Sequence, residues 1–181
     1  MKNIPLTIQV RNYGNLDTKI VLSSYGQPFY QVEAFTYYEK SNEYCVVVLQ
    51  RSDLKIVTSF TFTDNSSVPS QLSPYLGNAD YTFIFTTNAL SSANLPTGAL
   101  YDWLISEGAG TCLKSLEQLY AGLNCGNWGA FSYALVGVFG SSDEGGAIEG
   151  MAVQQNALLM TLEYQPVTVA GNTFYTPIEL R

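Results

Sequence analysis

The chain has 181 residues, with 8 Lys and Arg, 15 Asp and Glu and no histidine, for a formal charge of −7. The lack of histidine excludes a Ser-His-Asp triad, a Cys-His dyad and a His-based zinc motif. Residues 57–181 hold two basic and ten acidic residues. This part of the chain would repel nucleic acid and anionic membranes, because both are recognised through Lys and Arg.

Hydrophobic residues make up 46% of the chain and charged residues 13%, against roughly 25% charged residues in an ordinary soluble domain. The surface must therefore be built from Ser, Thr, Asn, Gln and Tyr. Such a composition favours extended β-structure and suits extracellular particles and permanent assemblies. The length suits one domain, or one domain with attached arms.

Strand patterns dominate the first third of the chain. Alternating apolar and polar residues predict a half-buried strand over Ile4–Val10. Lys19–Ser23 is predicted to be a second short strand, and the aromatic-rich segment Phe29–Tyr38 to be extended. The continuous apolar run Tyr44–Leu49 indicates a central strand buried on both faces. Leu54–Phe62 alternates cleanly, and we expect it to pair with that run.

Helical spacing appears in the middle of the chain. After a polar loop, Tyr81–Thr87 predicts another strand. The period then changes, because Leu100, Trp103 and Leu104 have the i, i+3, i+4 spacing of a helix, which should end at Gly108.

A second short helix is predicted to follow. We expect Thr97 to cap the first helix and Thr111 to cap the second, which should close at Gly122. Neither helix exceeds about a dozen residues, so each needs packing against a sheet to persist.

Strand patterns return in the last third. Ser132–Phe139 predicts a second fully apolar strand, Ala157–Tyr164 a further strand, and Val167–Leu180 a hairpin around Ala170-Gly171-Asn172. The whole pattern predicts an α+β fold: a β-rich, sandwich-like domain with two short helices packed on an antiparallel sheet.

The predicted organisation has three parts. Residues 1–19 form an N-terminal strand arm, residues 20–152 the main domain, and residues 153–181 a C-terminal strand and hairpin. The terminal strands either belong to the main domain or pair with each other.

The cysteines and the hydropathy of the chain indicate the cellular compartment in which the protein is made. Three cysteines make a poor disulfide framework. Cys45 should be a small buried hydrophobe, and Cys112 and Cys125 either pair or, as we favour, stay reduced. The first residues lack the unbroken apolar stretch of a signal peptide, and no later run approaches the 18 or so residues of a membrane span. We therefore expect synthesis in a cytosol, without an export signal or a membrane partner.

Catalysis would have to rest on carboxylates. Asp143, Glu144 and Glu149 surround a glycine-rich loop that could serve a glycosidase or bind calcium, although a solvated turn is the interpretation we favour. Asp102 and Glu107 lie about 140° apart around a predicted helix, which is a poor geometry for a shared substrate. We assign no catalytic residue, metal ligand or cofactor, and we expect no enzymatic activity.

Aromatic residues provide the candidate binding site. Tyr101, Trp103 and Trp128, with Tyr75 and Tyr120, could form a platform on which sugar rings stack. For Trp103 we favour the alternative that it packs inward with the other apolar residues of its helix. Trp128 is flanked by glycines, and it is equally suited to binding a sugar and to being a buried anchor of the fold.

One stretch resembles a known family. Phe131–Gly140, followed by Gly145–Glu149, is similar to the closing signature of the interleukin-like EMT inducer domain, where an "SYALVG–KG" strand precedes "G–AIE". The resemblance covers residues 20–152, although Ala99–Ser106 has a helical pattern where the family has a strand. Further segments match in the same order: Tyr44–Leu49, Phe60–Asp64, Tyr81–Thr87, Leu95–Gly98 and Leu113–Leu119.

The resemblance implies a compact β/α fold without catalytic activity, and it assigns no binding residue to this chain. Relatives include secreted signalling proteins, sugar-binding modules of glycan-processing enzymes and tail proteins of bacterial viruses. With the low charge and the terminal strands, it predicts a structural virion component such as a phage tail, baseplate or capsid-decoration protein. Its predicted partners are other virion proteins and further copies of itself. The alternative is a carbohydrate-binding module or receptor-binding adhesin.

Overall fold

β-Strands form most of the protein in the computed structural model, which describes residues 2–10, 18–24, 27–33, 42–123, 130–141, 147–153 and 157–179. The helices are α1 (Gly98–Ser106) and α2 (Thr111–Leu123). The strands are β1 (Ile4–Val10), β2 (Lys19–Ser24), β3 (Gln27–Glu33), β4 (Glu43–Gln50), β5 (Ile56–Phe62), β6 (Tyr81–Asn88), β7 (Leu90–Ser91), β8 (Ala130–Val138), β9 (Ile148–Val153), β10 (Leu158–Val169) and β11 (Asn172–Glu179).

The strands form two antiparallel sheets. The first has five strands in the order β11-β10-β1-β2-β3, and the second has the order β5-β4-β6-β8-β7, with β9 also paired to β8. β1 lies between β10 and β2, with Ile4 opposite Tyr164 and Leu6 opposite Leu22. Strands from both ends of the chain therefore share a sheet with strands of the predicted main domain.

The two sheets pack face to face over a core that strand alternation creates. Every second residue of β1 is buried, as expected for a strand with one face against a core. The core contains residues from both sheets: Leu6, Ile8, Val10, Ile20, Leu22, Cys45, Val47, Leu49, Ile84, Ala134, Val136, Leu158, Met160, Leu162, Tyr164 and Tyr175.

A second core fills the opposite face of the second sheet, where both helices pack. β4 contributes to both cores, because Val47 points to the first and Val46 to the second. The fold therefore has three layers: sheet, sheet and helices. The second core includes Tyr44, Val46, Val48, Phe83, Phe85, Leu100, Trp103, Leu104, Leu113, Leu116, Phe131, Tyr133, Leu135 and Phe139.

Arg51 ties the two sheets together at one end. It lies in the turn after β4, and its Nε donates to the carbonyl of Tyr175 at 2.9 Å while its Nη2 lies 2.8 Å from Oγ1 of Thr176. Its own carbonyl accepts from the amide of Tyr175 at 2.7 Å, and its guanidinium lies 5.4 Å from the centre of the Phe174 ring. The β10–β11 hairpin is thereby fixed to the other sheet.

The predicted fold class is confirmed: the structure is an α+β, β-rich sandwich with two short helices packed on an antiparallel sheet. The central strand buried on both faces, the pairing of β5 with β4 and the hairpin around Ala170-Gly171 are present. β10 continues without a break through Val169, where two separate strands were predicted. The end of the predicted segment 29–38, from residue 34 onwards, lies outside the described residues.

Candidate binding groove

The loop before α1 fixes the position of that helix. The amide of Thr97 donates to the carbonyl of Asn65 at 2.7 Å, and the amide of Leu100 donates to that of Ser66 at 3.3 Å. Thr97 occupies the N-cap position as predicted, but its hydroxyl donates to Asn65 instead of accepting from the helix. The preceding loop thus takes over the capping role.

A groove of about 150 Å³ lies between the two helices and the segment before α1. Tyr101 of α1 and Tyr120 of α2 both line it, and Tyr120 is 41% exposed. The volume suits a single ring-sized group, since larger ligands occupy roughly 300 Å³ or more. The lining residues are Ser92, Leu95, Pro96, Thr97, Tyr101, Leu113, Leu116, Glu117 and Tyr120.

Glu117 provides the charged group of this groove. The hydroxyl of Tyr101 donates to its Oε2 at 3.2 Å. Burial first, and then the negative charge of Glu117, raise the pKa of Tyr101, so its hydroxyl stays protonated at neutral pH. The groove thus offers two aromatic faces, apolar walls and a carboxylate that accepts hydrogen bonds, a combination suited to a ring with hydroxyl groups.

The structure separates Trp103 from this groove. Its side chain is 7% exposed and packs against Phe83 and Phe85 in the second core. Inward packing, the alternative favoured from the sequence, is what the structure shows, and it leaves the ring no face for a sugar. Trp128 lies outside the described residues. Tyr75 packs against Phe139 in the second core and does not line the groove.

Glu107 has a structural position at the end of α1. It is 5% exposed, and it accepts from Nε1 of Trp103 at 3.2 Å and from the amide of Gly140 at 2.9 Å. Burial raises the pKa of this carboxyl, while these two hydrogen bonds act in the opposite direction. The side chain connects the helix to the turn after β8.

Glu149, one of the three candidate loop carboxylates, holds the start of α2. Its Oε1 accepts from the amide of Cys112 at 2.7 Å, and its Oε2 accepts from the amide of Leu113 at 3.3 Å and the hydroxyl of Tyr133 at 2.9 Å. Thr111 is the first residue of α2. The prediction that it caps this helix is wrong, because Glu149 accepts the hydrogen bonds of the first helix amides. Asp143 and Glu144 lie outside the described residues.

Within the residues that the structure describes, no three His, Cys, Asp or Glu side chains are grouped so that they could hold a metal ion. Neither described helix has the length and apolar character needed to cross a membrane. Cys45 and Cys112 are free thiols, and Cys125 falls in a range that is not described.

No protein-family profile matches the chain, and no curated protein has significant sequence similarity to it.

Proposed function

We propose that this protein is a non-enzymatic structural subunit of a viral particle, such as a phage tail, baseplate or capsid-decoration protein. The observation that carries the proposal is the solvent-facing surface of the five-stranded sheet. Along β10, Leu159 is 66% exposed, Val169 58% and Val167 42%. Assembled subunits bury such apolar surface against neighbouring chains.

Low charge supports the same proposal. Only 13% of the residues are charged, whereas soluble monomers carry roughly a quarter. A surface with few charged residues can pack closely against another copy without the cost of removing many ions from water. The viral setting rests on the resemblance of residues 20–152 to domains that also occur in phage tail proteins.

The solution mass of the purified protein tests this proposal. We expect light scattering across a concentration series to give an oligomer of defined stoichiometry that persists on dilution. A chain that remains monomeric at every concentration would contradict a self-assembling role.

Carbohydrate binding is the second candidate function, and the groove between the helices favours it. Tyr101 and Tyr120 line one concave site together with Glu117. Aromatic faces stack on the C–H faces of sugars, and a carboxylate accepts hydrogen bonds from their hydroxyl groups.

A glycan array with matched variants tests the second candidate. We expect Tyr120→Ala to abolish binding of any sugar that the wild type retains. Leu76→Ala, which truncates a similarly exposed side chain outside the groove, should leave binding intact. If Tyr120→Ala binds normally and Trp128→Ala does not, the sugar is held at Trp128 and the groove assignment is wrong.

A further inference from the structure

In the part of the chain that the structure describes, β5 is an edge strand of the second sheet, and beyond a register shift at Val57 it pairs regularly with β4 from Thr58 to Phe62. Among the described strands it has one neighbour, β4. Its sequence, Ile-Val-Thr-Ser-Phe-Thr-Phe, contains no charged residue and no proline. Val57 is 42% exposed, and Ser59 and Thr61 are also exposed. Such an edge presents unpaired backbone amides and carbonyls that can pair with another strand.

The two edge strands of the first sheet, β3 and β11, carry the usual protection against pairing. β3 contains a proline and ends in Glu33. β11 contains Pro177 and ends in Glu179. Proline and charged residues both oppose the addition of a further strand, so β5 is better suited to pairing than either edge of the first sheet.

We propose that β5 pairs antiparallel with β5 of a second copy of this chain, so that the two second sheets become one continuous sheet. This inference rests on the proposed assembly function and specifies the contact between copies. A two-fold axis at Phe60 would place Phe60 opposite its equivalent, Thr58 opposite Phe62, and Ser59 opposite Thr61. Aromatic pairs and aromatic–β-branched pairs are favourable cross-strand contacts.

The charges that flank β5 are complementary in this arrangement. Lys55 precedes the strand and Asp64 follows it, and both are exposed. Antiparallel pairing about Phe60 places Asp64 of each copy opposite Ile56 of the other, one position along from Lys55. Hydrogen bonds from the amide and hydroxyl of Ser66 lower the pKa of Asp64, so this carboxylate is ionised at neutral pH.

The first test introduces charges on the β5 edge. The double variant Ser59→Lys/Thr61→Lys places four positive charges at the interface between the two copies without altering a buried side chain. We expect its dimer dissociation constant, measured by analytical ultracentrifugation, to rise at least about tenfold. The control Gln71→Lys/Gln118→Lys adds the same charge at exposed positions outside both sheets, and should dimerise like the wild type.

The outcomes separate the two proposals. An oligomer that Ser59→Lys/Thr61→Lys leaves intact would overturn the β5 contact while the assembly function stands. A wild type that is monomeric throughout would overturn both. Circular dichroism of each variant establishes that loss of the dimer is not loss of the fold.

Charge reversal tests the antiparallel direction independently. We expect Lys55→Glu and Asp64→Lys each to weaken the dimer, by about twofold to thirtyfold, because two exposed ion pairs are lost at once. Mixing the two variants should restore association. In the mixed dimer the glutamate introduced by Lys55→Glu lies at the same end of the interface as the lysine introduced by Asp64→Lys, and the unchanged Asp64 of one copy lies at the same end as the unchanged Lys55 of the other. A mixture that associates no better than the separate variants would overturn the proposed pairing.

Discussion

The hydroxyl oxygen of Tyr133 lies 2.9 Å from Oε2 of Glu149, so a residue in the middle of β8 is joined to β9 and, through the same carboxylate, to the first turn of α2. Burial first, and then the charge of Glu149, raise the pKa of Tyr133 well above its ordinary value. Tyr133 therefore remains a donor at neutral pH. The helix layer is attached to the sheet by this polar contact as well as by apolar packing.

Removing Glu149 should destabilise the protein. We expect Glu149→Ala to lower the free energy of unfolding by about 2–3 kcal/mol, because two helix amides and a buried hydroxyl lose their acceptor. Urea denaturation gives this value, and Glu179→Ala, at an exposed carboxylate, should cost less than about 0.5 kcal/mol. In a double-mutant cycle with Tyr133→Phe, we expect a coupling of about 1 kcal/mol. Additive losses would show that the two side chains act separately.

Glu107 should make stability depend on pH. Its folded pKa is raised above the ordinary 4.5, chiefly by burial. Its stabilising contribution is thus fully present below the unfolded pKa and is lost as pH rises through the folded pKa. As the pH rises through this range, we expect the free energy of unfolding of wild type to fall relative to that of Glu107→Gln. Urea denaturation at a series of pH values measures both. Parallel curves for the two proteins would contradict the prediction, and Glu179→Gln controls for general charge effects.

The β10–β11 turn offers a stabilising substitution. Ala170 has φ 49° and Gly171 φ 82°, the left-handed pair of a type I′ turn, in which Asn-Gly is preferred. Ala170→Asn should raise the free energy of unfolding by about 0.5–1 kcal/mol. Gly171→Ala should lower the free energy of unfolding by about 1 kcal/mol. The loss comes from backbone strain alone, because a Cβ at this position contacts no neighbouring atom. Thermal and urea denaturation check both values, and a destabilised Ala170→Asn would count against the assigned turn.

Cys45 should be chemically inert in the folded protein. It is 2% exposed, and burial, the largest cause, raises the pKa of its thiol to about 12. In a Cys112→Ser/Cys125→Ser background, we expect labelling by a thiol reagent to be at least about a thousandfold slower than in the unfolded chain. Urea below the unfolding transition should accelerate it. Labelling at the rate of the unfolded chain would show that the first core opens freely.

The sandwich could be predicted because its strands have clear local patterns. The alternation in β1 reflects burial of one face, and the unbroken apolar run of β4 reflects burial of both faces. Each pattern is contained within a few consecutive residues, so it can be recognised without knowledge of the rest of the fold. β9 was missed because Glu149 and Gly150 interrupt its apolar residues. A Cβ at Gly150 would lie 2.7 Å from Sδ of Met160, so close packing against β10 explains this glycine.

The candidate groove could be predicted only in part. The sequence marks Tyr101 and Tyr120 as candidate binding aromatics, but their meeting in one groove depends on how two helices pack. The cap of α2 could not be predicted, because Glu149 lies 37 positions from Cys112 and local capping rules consider only a few neighbouring residues. The inward packing of Trp103 could be predicted, since its spacing from Leu100 and Leu104 places it on the apolar face of α1.

The pairing of β1 with β10 dictates the order in which a nascent chain can fold. Asn3, which precedes β1, and Glu163 of β10 form a hydrogen bond and are 160 positions apart. At ribosomal rates of about 5–20 residues per second, β10 emerges roughly 10–30 s after β1. Strands β4 to β9 are synthesised within that interval and can assemble with both helices first. The first sheet then closes last, on a template already in place, and its apolar residues are a natural target for chaperones until it does.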